Sequence, residues 1–213
     1  MKPPETPSSS LKPDGKFLPV MEDFYSLQGE GFNTGQAAYF LRIGGCDVGC
    51  KWCDIKESWN GSLFPPTPTR QIIANALSYP AKAIVVTGGE PLLYNLDFLT
   101  RELKRQEVKT FLETSGSQPL SGIWDWICLS PKRESPPLES VCRKADELKV
   151  IIQDSTDFLW AEENRLKVSP ECLLYLQPEW SRRSDMMPLI VQYILSDPKW
   201  KISLQSHKYM RIP

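Results

Sequence analysis

The sequence predicts an α/β fold built on a mostly parallel sheet. Three observations predict it. Short apolar runs recur along the chain, and segments with helical spacing separate them. Polar clusters marked by Gly and Pro follow strand after strand, as at the ligand-binding edge of α/β sheets. The chain has 213 residues with 41% hydrophobic and 24% charged content, enough for one domain with a sizeable core.

Residues 1–16 are polar and rich in Pro and Ser, and read as a disordered tail; 17–213 read as a single domain. Val20–Ser26 is the first extended segment, and Ala37–Ile43 the second. Thr69–Tyr79 places Ile72, Ile73, Ala76 and Leu77 at helical spacing. Ala83–Val86 is a short β-branched run of the buried-strand type. Leu96, Leu99 and Leu103 predict a helix ending near Gln106. Lys109–Leu112, Trp126–Leu129, Leu148–Ile152 and Leu173–Leu176 are further strands. Thr156–Arg165 and Asp185–Leu195 read as helices, the second with Pro188 in its first turn, where the missing N–H does little harm. Ile202–Leu204 closes the series as a strand.

The clusters after these strands are Thr87-Gly88-Gly89-Glu90-Pro91, Glu113-Thr114-Ser115-Gly116, Ser130-Pro131-Lys132, Gln177-Pro178-Glu179-Trp180 and Gln205-Ser206-His207-Lys208. They should converge on one edge of the sheet and form a cleft. A net charge of −1 speaks against a nucleic-acid surface. No stretch has the length of a membrane span, and the N-terminus lacks an apolar signal core. The expected location is cytoplasmic. Clustered thiols in a reducing compartment indicate metal or redox chemistry rather than disulfides.

Three of the six cysteines fall in one loop, Cys46-x3-Cys50-x2-Cys53, directly after the second strand. Thiolates bind soft metals and iron–sulfur clusters. The loop supplies no fourth cysteine, so it suits a 4Fe-4S cluster with one iron open to a small molecule. A zinc knuckle stays open as the alternative; it would recruit Cys128, Cys142, Cys172 or His207 from far along the chain. The paired glycines Gly88-Gly89 are expected to bring backbone N–H groups close to a ligand. Glu90 offers a carboxylate to an ammonium or hydroxyl.

The cysteine spacing followed by Gly88-Gly89-Glu90-Pro91 resembles the radical S-adenosylmethionine superfamily. The resemblance implies a partial, incomplete TIM-like barrel, with Cys46, Cys50 and Cys53 holding a 4Fe-4S cluster. S-adenosylmethionine chelates the open iron, and its one-electron cleavage yields a radical that abstracts hydrogen. Trp52, Cys53, Asp54, Gly89 and Glu90 are implied cofactor contacts, together with Thr114, Ser115, Ser130, Pro131 and Lys132.

Two further motifs narrow the resemblance. Phe24-Tyr25-Ser26-Leu27-Gln28-Gly29-Glu30-Gly31 and the closing Gln205-Ser206-His207-Lys208-Tyr209-Met210-Arg211-Ile212-Pro213 are similar to the 7-carboxy-7-deazaguanine synthase family. That likeness runs from about residue 20 to the end and implies a barrel of about six strands in a homodimer. The implied reaction is ring contraction of 6-carboxy-5,6,7,8-tetrahydropterin with release of ammonia, with electrons from a donor such as flavodoxin or ferredoxin. Leu27, Gln28, Gly29, Glu30, Arg42, Thr87, His207 and Pro213 are the implied substrate contacts. Their chemistry suits a flat pterin: Gln28 both donates and accepts, Glu30 accepts from an amino-pyrimidine edge, and Arg42 offers a fork to a carboxylate. Arg42 as a surface ion pair and His207 as a structural histidine are the plainer readings.

One departure stands out. The family commonly has Cys-Asp-Thr, the threonine ligating Mg²⁺; here the residues are Cys53-Asp54-Ile55, and isoleucine has no oxygen for a hard cation. Mg²⁺ dependence is expected to be weaker or altered. A glycyl-radical activating enzyme and a non-catalytic zinc module are the rival functions.

Overall fold

The computed structural model describes residues 14–213. The tail expected over 1–16 lies outside the described residues except for 14–16, and these are tied to the fold. The Gly15 carbonyl accepts from Thr69 Oγ at 2.7 Å, and the Lys16 carbonyl from the Thr69 N–H at 2.9 Å.

The strands are β1 (Phe17–Leu27), β2 (Ala37–Ile43), β3 (Pro66–Pro68), β4 (Ala83–Gly88), β5 (Lys109–Thr114), β6 (Trp126–Leu129), β7 (Glu147–Ile152), β8 (Leu173–Pro178) and β9 (Trp200–Ile202). The helices are α1 (Thr69–Leu77), α2 (Asp97–Arg105), α3 (Glu139–Cys142), α4 (Asp157–Arg165), α5 (Arg183–Ser196) and α6 (Ser206–Met210). All nine strands form one open sheet in the order β3-β1-β2-β4-β5-β6-β7-β8-β9. The run from β2 to β9 is parallel throughout, seven strands where the family likeness implied about six, and β1 and β3 extend it antiparallel. Because the sheet has two free edges, it is a partial barrel.

Alternation along the strands divides the fold into a helix-packed face and an inner face. Leu41, Ile43, Ile84, Val86 and Leu112 pack with Ile72 of α1 and Leu99 and Leu103 of α2. Leu148, Val150, Leu174 and Leu176 pack with Trp160 of α4 and Ile190 of α5. The residues between them turn inward. Phe40, Val85 and Phe111 form a small inner core with Phe24 and Trp126.

Two expectations about elements change, and two short elements appear that spacing did not signal. The last strand is Trp200–Ile202 rather than Ile202–Leu204, because Trp200 supplies the buried anchor. The Pro66–Pro68 stretch is an edge strand, where proline's missing N–H faces no partner. The C-terminal motif carries a short helix, α6, that sequence spacing did not signal. Pro188 lies beyond the first turn, since α5 starts at Arg183 after a 3₁₀ turn, so the Ser184 carbonyl lacks its helical donor.

Candidate active site

A cavity of about 600 Å³ opens at the C-terminal ends of the parallel strands. At one end is the cysteine loop. It leaves β2 at Ile43 and folds back on a 3₁₀ turn. The Gly45 N–H donates to the Ser58 carbonyl at 2.6 Å, and the Cys46 N–H to that of Trp59 at 3.2 Å. Cys46, Cys50 and Cys53 all line the cavity. Burial pushes the Cys50 thiol up to about 12 and raises that of Cys46. These protons leave when a metal takes their place.

Among the described residues, no three His, Cys, Asp or Glu side chains gather tightly enough for one metal ion. Sulfurs around a single zinc stand about 3.8 Å apart. A cubane binds its cysteines through different irons and so spaces them more widely. Cys128, Cys142 and Cys172 are buried in the core and do not reach the cavity. Three thiols from one loop at the cavity suit a cluster with one iron left open.

The Gly88-Gly89 pair serves a different purpose from the one its sequence suggested. The Gly89 N–H donates to the Ile43 carbonyl at 2.9 Å, and the Glu90 N–H to that of Gly45 at 2.8 Å. Both N–H groups tie β4 to the root of the cysteine loop instead of facing a ligand. A Cβ on Gly88 would lie 2.2 Å from Ile43 O, and one on Gly89 2.0 Å from Gly45 O. Close backbone approach is what demands glycine here.

Glu90 is also placed differently. It does not line the cavity; it lies beneath the wall and is 1% exposed. Its carboxylate accepts from Thr114 Oγ at 2.6 Å, the Ser115 N–H at 2.8 Å, Ser115 Oγ, and the Leu92 N–H at 3.0 Å. With both oxygens engaged, it holds Thr114 and Ser115 against the cavity. Pro131 is likewise buried behind the wall, whereas Ser130 and Lys132 line it. Lys132 Nζ donates to the Ser130 carbonyl and Oγ, each at 2.6 Å, and sits 5.4 Å from the centre of the Trp52 ring. Burial holds this lysine below its usual value.

The other end of the cavity joins the two distant motifs. The Ser206 N–H and Oγ both donate to the Gly29 carbonyl at 2.9 Å, and Gln205 Nε2 donates to Glu30 Oε1 at 2.9 Å. Leu27, Gln28, Gly29, Glu30, Arg42, Thr87, His207 and Pro213 all line the space. Ser26 Oγ reaches the Pro213 carbonyl oxygen at 3.3 Å. Arg42 is both a cavity residue and an ion-pair partner. Its Nε lies 2.7 Å from Glu22 Oε1, although the N–H is not aligned to donate. Burial holds the His207 imidazole below its usual value.

Sequence reasoning missed Lys149 as a cavity residue, and named Glu113 and Gln177 only as members of the clusters at the sheet edge, without a role. The available signal was polar residues alternating with Leu and Val inside otherwise apolar strands. The parallel register then stacks them on the inner face beside Arg42 and Thr87.

Residues 41–129 match the model of the Radical SAM superfamily. A 7-carboxy-7-deazaguanine synthase of Flavobacterium psychrophilum is 55% identical over 93% of this chain and 94% of its own length. The enzyme of the same name from Synechocystis sp. is 45% identical over 91% of this chain and 93% of its own. The chain belongs to the 7-carboxy-7-deazaguanine synthase family. The crystal structure of QueE from Escherichia coli superposes with a TM-score of 0.80 at 28% identity, covering 90% of this chain and 95% of that one. Family membership implies the 4Fe-4S cluster and S-adenosylmethionine, which the three thiols and the adjoining cavity suit.

The residues at the family's Mg²⁺ position do not suit that ion. Ile55 lines the cavity without a side-chain oxygen, and its N–H donates to Cys53 Sγ at 3.4 Å. The Asp54 carboxylate is paired with Lys208 Nζ at 2.8 Å. A hard cation preferring near-octahedral oxygen donors finds no ready set of them here.

Proposed function

We propose that this chain is a radical enzyme contracting 6-carboxy-5,6,7,8-tetrahydropterin to 7-carboxy-7-deazaguanine with release of ammonia, in 7-deazapurine and queuosine biosynthesis. The observation that carries this reading is the meeting of the Gln28–Glu30 loop and the C-terminal motif across from the three cysteines, in one cavity.

Cys46, Cys50 and Cys53 would hold the cluster. With the cluster and S-adenosylmethionine bound there, the pair would supply a hydrogen-abstracting radical. Trp52, Asp54, Gly89, Thr114, Ser115, Ser130 and Lys132 form the cofactor wall, with Glu90 and Pro131 supporting it from behind. Leu27, Gln28, Gly29, Glu30, Arg42, Thr87, His207 and Pro213 frame the pterin. Arg42 offers its guanidinium to the substrate carboxylate. Glu30 stays ionised as an acceptor: burial raises its carboxyl, but Lys149 and Gln205 outweigh burial and hold it at about 2. The protein's contribution is to orient the reacting hydrogen and keep water from the radical.

The deciding experiment is an anaerobic assay of reconstituted protein with reductant, S-adenosylmethionine and the pterin. Appearance of the deazapurine without any protein partner supports the reading and excludes a glycyl-radical activator. A colourless protein with one zinc and no iron would sink it. The partners proposed alongside are a second copy of the chain in a homodimer and a flavodoxin or ferredoxin as electron donor. A cytoplasmic location accords with six unpaired cysteines, and no described helix is long and apolar enough to cross a membrane.

Two expected outcomes follow from particular residues. Turnover in Mg²⁺-free buffer should stay within about twofold of that with added Mg²⁺, given the missing oxygen donors. A strict Mg²⁺ requirement would overturn this. Pro213→Trp should raise KM for the pterin about tenfold, since Pro213 lines the site. Equal KM values for the variant and the wild type would refute it.

A further inference from the structure

Lys149 lies between Leu148 and Val150, which face the helices, so its side chain turns toward the cavity. That side chain is only 4% exposed. Its Nζ stands 2.6 Å from Glu30 Oε2 and 2.9 Å from Glu113 Oε2. The second oxygen of each carboxylate is engaged as well. Gln205 Nε2 donates to Glu30 Oε1 at 2.9 Å, and Gln28 Nε2 to Glu113 Oε1 at 3.2 Å.

Two carboxylates gathered this closely in a buried wall do not both stay charged without a cation. An ammonium this deep is equally costly without carboxylates. The group therefore stands or falls together: two negative charges, one positive, and a net negative wall. A flat heterocycle with an amino group beside a ring N–H presents two donors in a row, and adjacent carboxylate oxygens match that edge.

We infer that Lys149 is a positioning residue, which keeps Glu30 and Glu113 charged together as paired acceptors for the donor edge of an amino-substituted heterocycle. The inference rests on the pterin reading of this cavity and adds Glu113 to the substrate wall. Lys149 acts through the two carboxylates.

The groups facing this ammonium come from every neighbouring element. Glu113 projects from β5, Cys128 from β6, Glu147 from β7, and Glu30 from the loop after β1. Lys132 adds a positive charge nearby, and His207 of α6 faces Glu30. Burial alone would lower the lysine, but Cys128, Glu113, Glu30 and Glu147 outweigh it and raise it well above its usual value. Glu147 itself is raised by burial and turned away, accepting from the Phe32 N–H and Trp126 Nε1.

The test is Lys149→Met. Carbon-13 NMR of glutamate-labelled protein should show one raised carboxyl more than wild type, in which burial raises that of Glu147. The value of kcat/KM for the pterin should fall about tenfold, mainly through KM, and gain an acidic limb, because a protonated carboxyl loses an acceptor. S-adenosylmethionine affinity should not change. Lys149→Arg should restore the wild-type profile, and adding Glu113→Gln to Lys149→Met should remove the acidic limb. A folded Lys149→Met protein with wild-type titration and wild-type KM overturns the inference. If Lys149→Met does not fold, wild type decides: a Glu30 carboxyl titrating above the usual carboxylate range overturns it equally. Failure of the pterin reading looks different. Wild type then makes no deazapurine, while the carboxyl titration still comes out as stated.

Discussion

Gly89→Ala protein is expected to fold but to lose most of its iron. The new Cβ would sit 2.0 Å from Gly45 O, 2.6 Å from Gly45 C and 2.9 Å from Cys46 Cβ. Two of these contacts are backbone, so no side chain can swing aside. Space can come only from parting the seam in which Gly89 and Glu90 donate to the Ile43 and Gly45 carbonyls. That movement carries Cys46 off its place among the three thiols. Overpacking of this kind costs about 1–3 kcal/mol, which lowers Tm by several degrees without unfolding a domain of this size. The cluster is more sensitive than the fold, because three ligands must meet one rigid cubane. Iron and sulfide analysis after anaerobic reconstitution, beside a melting curve, checks it. Full iron content at the wild-type Tm would refute it.

Glu90→Ala should be the most destabilising single change in the cofactor wall. The carboxylate accepts from four donors: Thr114 Oγ, the Ser115 N–H and Oγ, and the Leu92 N–H. Truncation strands them where water does not reach. At about 1–3 kcal/mol for each unsatisfied group, and with some able to re-pair, a loss of about 3 kcal/mol is expected, or roughly 6–12 °C in Tm. Because Thr114 and Ser115 line the cavity, S-adenosylmethionine affinity should drop about tenfold or more. Glu90→Gln should fall between, since its amide keeps one acceptor but turns an NH₂ toward hydroxyl and N–H donors. Calorimetry and equilibrium binding of S-adenosylmethionine measure both effects. A Glu90→Ala protein of wild-type stability and affinity would show that the network does not support the wall.

The same residue shows how far the site was legible. The sequence placed Glu90 at the right edge of the sheet but aimed it at a ligand. A single strand-to-turn segment says where the chain goes, and three of the four donors that claim its carboxylate sit at and just past the end of β5, more than twenty residues on. Conversely, Gln28, Glu30 and His207, which line the cavity, stood out because each lies in a short motif whose residue order carries the signal. That the two motifs touch was not visible. Ser206 and Gly29 are 177 positions apart and meet only when β8 and β9 bring the chain back to the first loop.

By itself the sequence determined the alternation of strands and helices, the three-thiol loop at a strand end, and the lack of an oxygen at Ile55. All are local: they depend on residue type and spacing over a few positions. Tertiary structure decided the inner face. Arg42, Thr87, Glu113, Lys149 and Gln177 come from different strands and share one cavity because parallel register and two-residue alternation stack them. It also decided which charges live together. A buried ammonium between Glu30 and Glu113 follows from burial and distance, and neither is written in any stretch of neighbouring residues.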